Sequence, residues 1–149
     1  ERGARVVLTG GPGDRELTAG IAAAAGIAAA AGGNVLDLAG KTDLGALAAL
    51  LARCDLLVSN DTGISHLAAA TATPSVVLFG PARPERWAPL DRDRHRAIDA
   101  PRLFDDPDRA AALARMPVAP VLAAAVAQLD AFPPGSPRPT RSSASEVRA

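Results

Sequence analysis

Short apolar runs, rich in valine and leucine, alternate along the chain with longer, alanine-rich stretches in which apolar residues recur at helical spacing. Runs of this length, bounded by glycine, proline or polar residues, are typical of buried strands, and the stretches between them are long enough to form helices. The predicted strands are residues 5–9, 35–38, 55–59, 75–79 and, more weakly, 96–98. The predicted helices are residues 14–31, a stretch capped by Thr42 or Asp43 that runs to residue 53, 63–72, and 117–129.

This alternation of strands and helices predicts the fold class. Parallel strands need helical crossovers between them, so the pattern indicates βαβ units in an α/β fold, with a parallel sheet that helices cover on both faces. In such folds ligands bind outside the carboxyl ends of the strands. The candidate chemistry therefore lies at four strand-to-helix junctions, residues 9–15, 39–43, 60–66 and 80–87.

The composition of the C-terminal end differs from the rest of the 149 residues. From residue 133 onward the chain is rich in proline, serine and arginine, a composition that does not support a packed core. We therefore predict one folded domain over residues 1–132 and a disordered tail over residues 133–149.

Composition also narrows the classes of partner and cofactor. The formal net charge is +0, from 16 basic and 16 acidic residues, which gives no support for nucleic-acid binding. The single cysteine and the two histidines leave little material for a metal centre. We expect neither a nucleic-acid partner nor a metal or other cofactor.

The third junction is the most informative. A carboxylate, Asp61, follows a predicted strand, and Thr62 and Gly63 then open a predicted helix that carries His66 in its first turn. Free N–H groups and partial positive charge at a helix start suit a diphosphate, to which Thr62 and His66 can also donate. Asp61 would repel phosphate but accepts hydrogen bonds from sugar hydroxyls. Each residue alone fits a helix cap or an exposed helix position, but together they favour a ligand site.

The other three junctions are less specific. The glycine-rich first junction, residues 10–13, fits either a phosphate loop or a tight turn, and it lacks the spacing of a P-loop or a dinucleotide fingerprint. At the second junction, Lys41 is the only lysine, and it fits either a contact to a phosphate or base or a solvated side chain beside Thr42. The fourth junction is a proline-rich loop in which Trp87 either lines a pocket or, more commonly, packs under the loop.

The run D-T-G-I-S-H-L-A-A at residues 61–69 resembles a motif of the heptosyltransferase family, glycosyltransferase family 9. The following Thr73-Pro74, Phe79-Gly80-Pro81, Pro84 and Trp87 also match, as do residues 8–12 and 38–44 upstream. The resemblance covers about residues 5–89 well and the final helix loosely. It implies a Rossmann-like domain that forms the C-terminal, donor-binding half of a GT-B glycosyltransferase.

The resemblance also implies the ligand and the residues that hold it. The donor would be a nucleotide-diphosphate sugar, typically ADP-heptose, which is a substrate and not a cofactor. Asp61 would hold the sugar hydroxyls, while Thr62, Gly63 and His66 would hold the diphosphate. Nearer the nucleoside, the resemblance implies contacts from a further set of residues: Lys41 and Thr42, with Asp14 or Glu16 at the ribose.

The implied reaction is inverting and metal-independent, and it transfers the sugar to a cell-surface glycan or to the lipopolysaccharide core. In this family the N-terminal domain binds the acceptor and supplies the carboxylate that deprotonates it, so we expect no catalytic residue in this chain. We expect the isolated chain to bind the donor without turnover. We expect the protein to be located in the cytoplasm, peripherally at the inner face of the membrane. The alternatives are a non-catalytic nucleotide-binding module from a truncated homologue and, less favoured without G-x-G-x-x-G, a dinucleotide-dependent oxidoreductase domain.

Overall fold

The computed structural model describes residues 3–24, 35–105 and 107–138. Strands and helices alternate, and the chain divides into two compact units, Glu1–Leu47 and Ala48–Ala149. The strands are β1 Val6–Leu8, β2 Val35–Asp37, β3 Leu57–Asn60, β4 Ser75–Phe79 and β5 His95–Asp99. The helices are α1 Arg15–Ala24, α2 Leu44–Leu51, α3 Gly63–Ala70, α4 Pro84–Trp87, α5 Ala100–Phe104, α6 Arg109–Ala114 and α7 Val118–Ala131. Within the described residues, no helix has both the length and the apolar character needed to cross a bilayer.

The first unit contains a two-stranded parallel sheet in which β1 pairs with β2. A 3-10 turn at Pro12–Asp14 leads from the loop after β1 into α1. The Asp37 carboxylate at the end of β2 accepts hydrogen bonds from the Thr18 hydroxyl at 2.9 Å and from the Ala39 amide at 2.9 Å. The Ala39 bond is the main reason that the pKa of Asp37 lies below its ordinary value. Asp37 therefore ties α1 to the carboxyl end of β2.

The second unit contains a three-stranded parallel sheet in the order β3-β4-β5. Alternate residues of β4 enter two separate apolar clusters, as the two-residue period of a strand requires. On one face Val76 packs with Ile98 and with Ala124 of α7. On the other face Val77 and Phe79 pack with Ala88, which follows α4. The central strand is therefore covered on both faces.

The observed elements confirm the predicted α/β class. The strand β4 has the predicted bounds, and β5 is longer than predicted. The predicted helix over residues 14–31 is described as far as Ala24, and its remainder lies outside the described residues. The sequence prediction missed α4, α5 and α6, which have four, five and six residues. Segments this short carry too few turns for a helical period to be recognised.

The described part of the C-terminal end is anchored to the second unit. The Arg138 guanidinium donates to the carbonyl oxygen of Leu51 at 3.2 Å and to the Thr73 hydroxyl at 3.1 Å. Residues 139–149 lie outside the described residues. The division into a domain over 1–132 and a tail over 133–149 stays a prediction.

One buried polar pair joins β4 to β5. His95 is 2% exposed, and its Nδ1 lies 2.9 Å from the hydroxyl of Ser75, its partner in the register of the two strands. Burial lowers the pKa of His95 below its ordinary value of 6.5, although Asp91 opposes this effect and Arg94 adds to it. The folded state therefore holds His95 neutral at a pH at which the unfolded chain begins to bind a proton.

We predict that this histidine makes the fold sensitive to mild acid. Because the folded-state pKa is lower than the unfolded-state pKa, the contribution of His95 is complete above the unfolded value and falls as the pH drops toward the folded value. The Tm should therefore decline between about pH 7.5 and about pH 5.5, and less so in a His95→Gln variant that cannot titrate. Parallel declines in the two proteins, measured by circular dichroism, would contradict this role.

Candidate functional site

The junction between β3 and α3 stands at the carboxyl edge of the second unit's sheet. The last residue of β3, Asn60, pairs with Leu78, and the Asp61 amide continues the ladder with a hydrogen bond of 3.0 Å to the Leu78 carbonyl. Thr62 is extended, with φ −145° and ψ 177°, and α3 begins at Gly63. The chain thus leaves the sheet at the position where the sequence predicted a ligand site.

The fold leaves several polar groups at this junction unused. The Thr62 side chain makes no capping hydrogen bond, and the Thr62 carbonyl accepts from the Ser65 hydroxyl at 2.8 Å and the Ser65 amide at 3.0 Å. The amides of Gly63 and Ile64 come before the first intrahelical bond and have no partner within the helix. Among the described residues, no hydrogen bond engages the carboxylate of half-buried Asp61 or the exposed side chains of Thr62 and His66.

These groups define what the junction can bind. Free amides at a helix start, together with a hydroxyl and an imidazole, suit an anion such as a phosphate. The adjacent Asp61 carboxylate suits a ligand part that carries hydroxyl donors. The described residues contain no group of three or more His, Cys, Asp or Glu side chains that would hold a metal ion. The geometry favours a ligand that combines phosphate with hydroxyl groups.

The loop that follows β4 lies beside this junction, because adjacent parallel strands end at the same edge of the sheet. An added Cβ at Gly80 would lie 2.6 Å from the Cβ of Leu113, so α6 packs directly against the loop. Trp87 at the end of α4 is 56% exposed. It therefore does not pack under the loop, which was the commoner of the two roles considered for it.

In the first unit, some of the predicted site residues make hydrogen bonds within the fold and others make none among the described residues. The Asp14 carboxylate accepts from the Gly11 amide at 2.7 Å, whereas Glu16 is exposed in the first turn of α1.

The Lys41 ammonium donates to the Asp37 carbonyl at 2.8 Å. The helix cap that the sequence left open is supplied by Asp43, whose carboxylate accepts from the Ala46 amide at 2.7 Å. Thr42 is half-buried immediately before this cap.

The structure brings the first two junctions of this unit together. The Gly40 amide donates to the Gly10 carbonyl at 2.8 Å, and Gly40 has a φ of +66° that favours glycine. The Arg15 guanidinium reaches the carbonyls of Ala39 at 3.4 Å and Gly40 at 3.3 Å. The sequence interpretation missed Arg15, although its place at the start of α1 beside a glycine-rich loop was a usable signal.

Comparison with known proteins adds a decisive observation. Residues 1–102 match the family model of glycosyltransferase family 9 (heptosyltransferase). The chain belongs to glycosyltransferase family 9. The resemblance found from the motif at residues 61–69 is thereby confirmed.

Family 9 relatives extend well beyond this chain. Lipopolysaccharide heptosyltransferase 2 of Escherichia coli K12 is 39% identical over 90 residues, which cover 60% of this chain and 25% of the relative. Lipooligosaccharide heptosyltransferase 2 of Haemophilus influenzae is 44% identical over 55 residues, which cover 37% of this chain and 16% of the relative. The chain therefore spans between about a sixth and a quarter of the length of these relatives.

Solved structures agree with the family assignment. A family 9 glycosyl transferase from Veillonella parvula superposes with a TM-score of 0.65 at 25% identity, covering 84% of this chain and 36% of the other. E. coli ADP-heptose lps heptosyltransferase II superposes with a TM-score of 0.55 at 37% identity, covering 63% and 28%. The predicted GT-B type of α/β fold is confirmed by these family 9 neighbours, while the roles of the individual site residues stay predictions.

Two glycines at adjacent junctions should respond differently to alanine. Gly80→Ala should destabilise the second unit by about 1–3 kcal/mol, because the new Cβ would overlap Leu113. Gly63→Ala is the matched control, since an added Cβ there meets nothing within 4 Å. It should leave the free energy of unfolding unchanged or raise it by up to about 1 kcal/mol through helix propensity. Urea titrations of the two variants check this, and equal losses would contradict the described packing.

Proposed function

We propose that this chain is the donor-binding part of a heptosyltransferase. Its β3–α3 junction binds the diphosphate of a nucleotide-diphosphate sugar such as ADP-heptose, and the whole enzyme transfers the sugar to a glycan or glycolipid acceptor of the lipopolysaccharide core. The observation that carries the proposal is that the side chains of Asp61, Thr62 and His66 and the first amides of α3 make no hydrogen bond among the described residues at the ligand edge of the sheet. Membership of family 9 supports the choice of ligand.

The two halves of the donor would meet different groups. The amides of Gly63 and Ile64, the Thr62 hydroxyl and the His66 ring donate to the diphosphate oxygens. As the sugar–phosphate bond breaks, negative charge grows on the leaving diphosphate, and these preorganised donors stabilise it. Asp61 accepts hydrogen bonds from the sugar hydroxyls and so orients the ring. The positive end of α3 thus stabilises the charge that a divalent cation stabilises in metal-dependent transferases. This arrangement fits an inverting, metal-independent transfer.

The residues of the first unit keep the roles that the resemblance implies. Lys41 and Thr42 contact the nucleoside, and an acidic residue at the start of α1 binds the ribose. Of the two candidates we favour Glu16, because the Asp14 carboxylate is already bound to the Gly11 amide. This choice follows from the number of acceptor sites that each carboxylate still offers.

The acceptor side of the reaction would lie outside this chain. We propose that an N-terminal acceptor domain supplies the carboxylate that deprotonates the acceptor hydroxyl. The isolated chain would then bind donor without turning it over. The whole enzyme would work in the cytoplasm, peripherally at the inner face of the membrane, where a lipid-linked acceptor is presented.

The proposed sugar contact predicts a selective loss on mutation. Calorimetric titration of the chain should detect binding of both ADP and ADP-heptose. Asp61→Ala should weaken ADP-heptose by about tenfold or more, the cost of losing a charged hydrogen-bond acceptor, and weaken ADP far less. Asp55→Ala is the matched control, since Asp55 is exposed just before the amino end of the same strand. Equal losses for the two ligands would exclude the sugar contact, and no binding of either ligand by the unmodified chain would overturn the proposed function.

The proposed diphosphate contact predicts that stability and binding separate at Gly63. Space for an added Cβ is open in the protein, so Gly63→Ala should remain folded. The same methyl group would stand where a phosphate approaches the amides of α3, so ADP affinity should fall by about tenfold. Isothermal titration with ADP, beside a thermal melt, tests this. A stable variant with unchanged ADP affinity would place the diphosphate elsewhere.

A further inference from the structure

One arginine outside the motif at residues 61–69 holds the backbone of the loop after β4. The Nη2 of Arg109, the first residue of α6, donates to the Ala82 carbonyl at 2.6 Å, and its Nε donates to the Pro81 carbonyl at 3.2 Å. The same Nη2 lies 2.8 Å from Oδ1 of Asp99. The Arg109 side chain is 23% exposed and that of Asp99 is 10% exposed. Arg109 thus forms a largely buried ion pair with Asp99 and donates hydrogen bonds to two consecutive carbonyls of the loop.

Asp99 extends this arrangement to the far end of the same loop. Its second oxygen pairs with Nε of Arg102 at 3.3 Å, and Nη2 of Arg102 lies 2.7 Å from the Glu85 carboxylate on α4. Asp99 is the last residue of β5, the strand adjacent to β4. The end of β5 is therefore linked to the loop at two places, through the largely buried Arg109 at Pro81 and Ala82 and through the exposed Arg102 at Glu85.

The geometry of these contacts suits a guanidinium. The Arg109 contacts are divided between two nitrogens of its planar fork, with Nη2 at Ala82 and Asp99 and Nε at Pro81, whereas the three donors of a lysine all radiate from one nitrogen and do not reproduce that spacing. Gly80 comes directly before Pro81 and Ala82. It packs against α6 so closely that an added Cβ would lie 3.1 Å from the Arg109 carbonyl. The start of α6 and the loop therefore keep one fixed spacing.

The Arg109–Asp99 pair and the carbonyls of Pro81 and Ala82 that Arg109 contacts form a clamp, which stands beside the candidate donor site. The loop leaves β4 next to the point where Asp61 leaves β3, and the Asp61 amide is bound to Leu78 of β4. We propose that Arg109 and Asp99 are positioning residues for donor binding: they hold residues 80–82 in the conformation in which this backbone forms a wall of the donor site. This inference rests on the proposed function, because it takes the site beside Asp61 to be the donor site.

The chain carries its own probe of this loop. Trp87, at the end of α4, is the only tryptophan, and the chain has no tyrosine. Time-resolved anisotropy of tryptophan emission therefore reports local motion of the clamped segment without any label. The variants are Arg109→Met, Arg109→Lys, Asp99→Asn and the double variant Arg109→Met with Asp99→Asn. Arg96→Met, at an exposed position of β5, is the matched control.

The clamp predicts linked changes in motion and affinity. In ligand-free protein, Arg109→Met and Arg109→Lys should both increase the fast anisotropy decay of Trp87, and Arg96→Met should not. Calorimetry should show ADP-heptose affinity reduced about tenfold by each Arg109 variant, because a mobile loop must be ordered on binding. The double variant should lose no more than Arg109→Met alone, since the two residues act as a unit. If Arg109→Met does not fold, Arg109→Lys, which keeps the charge beside Asp99, carries the comparison.

The outcomes separate this inference from the proposed function. A folded Arg109 variant with unchanged Trp87 anisotropy and unchanged ADP-heptose affinity would overturn the positioning role while leaving donor binding intact. Greater Trp87 motion with unchanged affinity would overturn it as well, because the clamp would then serve stability alone. If the unmodified chain binds neither ADP nor ADP-heptose, the proposed function fails, and the positioning role in donor binding fails with it.

Discussion

The parallel pairing of β3 with β4 is the interaction on which the candidate site depends. The Asp61 amide adds one more hydrogen bond to this ladder, to Leu78, and the chain then turns away from the sheet into α3. This bond lies one residue beyond Asn60, where β3 ends, and two residues before Gly63, where α3 begins. Because β4 is covered on both faces by apolar side chains, the strand that positions Asp61 is also the best-buried element of the second unit.

The candidate site is distinguished by polar side chains that make no hydrogen bond within the described part of the fold. Asp14, Asp37, Lys41 and Asp43 all make hydrogen bonds that close turns or cap helices. At the β3–α3 junction, the side chains of Asp61, Thr62 and His66 make none among the described residues. Groups that the fold itself does not use are the ones most readily explained by a ligand.

The sequence predicted the parts of this structure that rest on repeated local patterns. Apolar runs located the five strands of the described residues. The run at β4 is the most deeply buried of them, because β4 is the central strand of the three-stranded sheet. The pattern could not locate α4, α5 and α6, which are too short for a helical period. It also gave no sign that His95 is buried, because a single polar residue at the start of a short strand has no periodic signal. Arg109 was missed for a different reason: its acceptor at Ala82 lies 27 residues away in sequence, and nothing local marks such a contact.

The most direct test of the account is a map of the backbone amides that respond to ligand. Nitrogen-15 chemical shifts of the chain would be compared on addition of ADP, AMP and adenosine. If the start of α3 binds the diphosphate, the amides of Thr62, Gly63 and Ile64 should shift strongly with ADP, less with AMP and little with adenosine. Shifts at these amides that are equal for all three ligands, or ADP-induced shifts confined to other residues, would contradict the central claim.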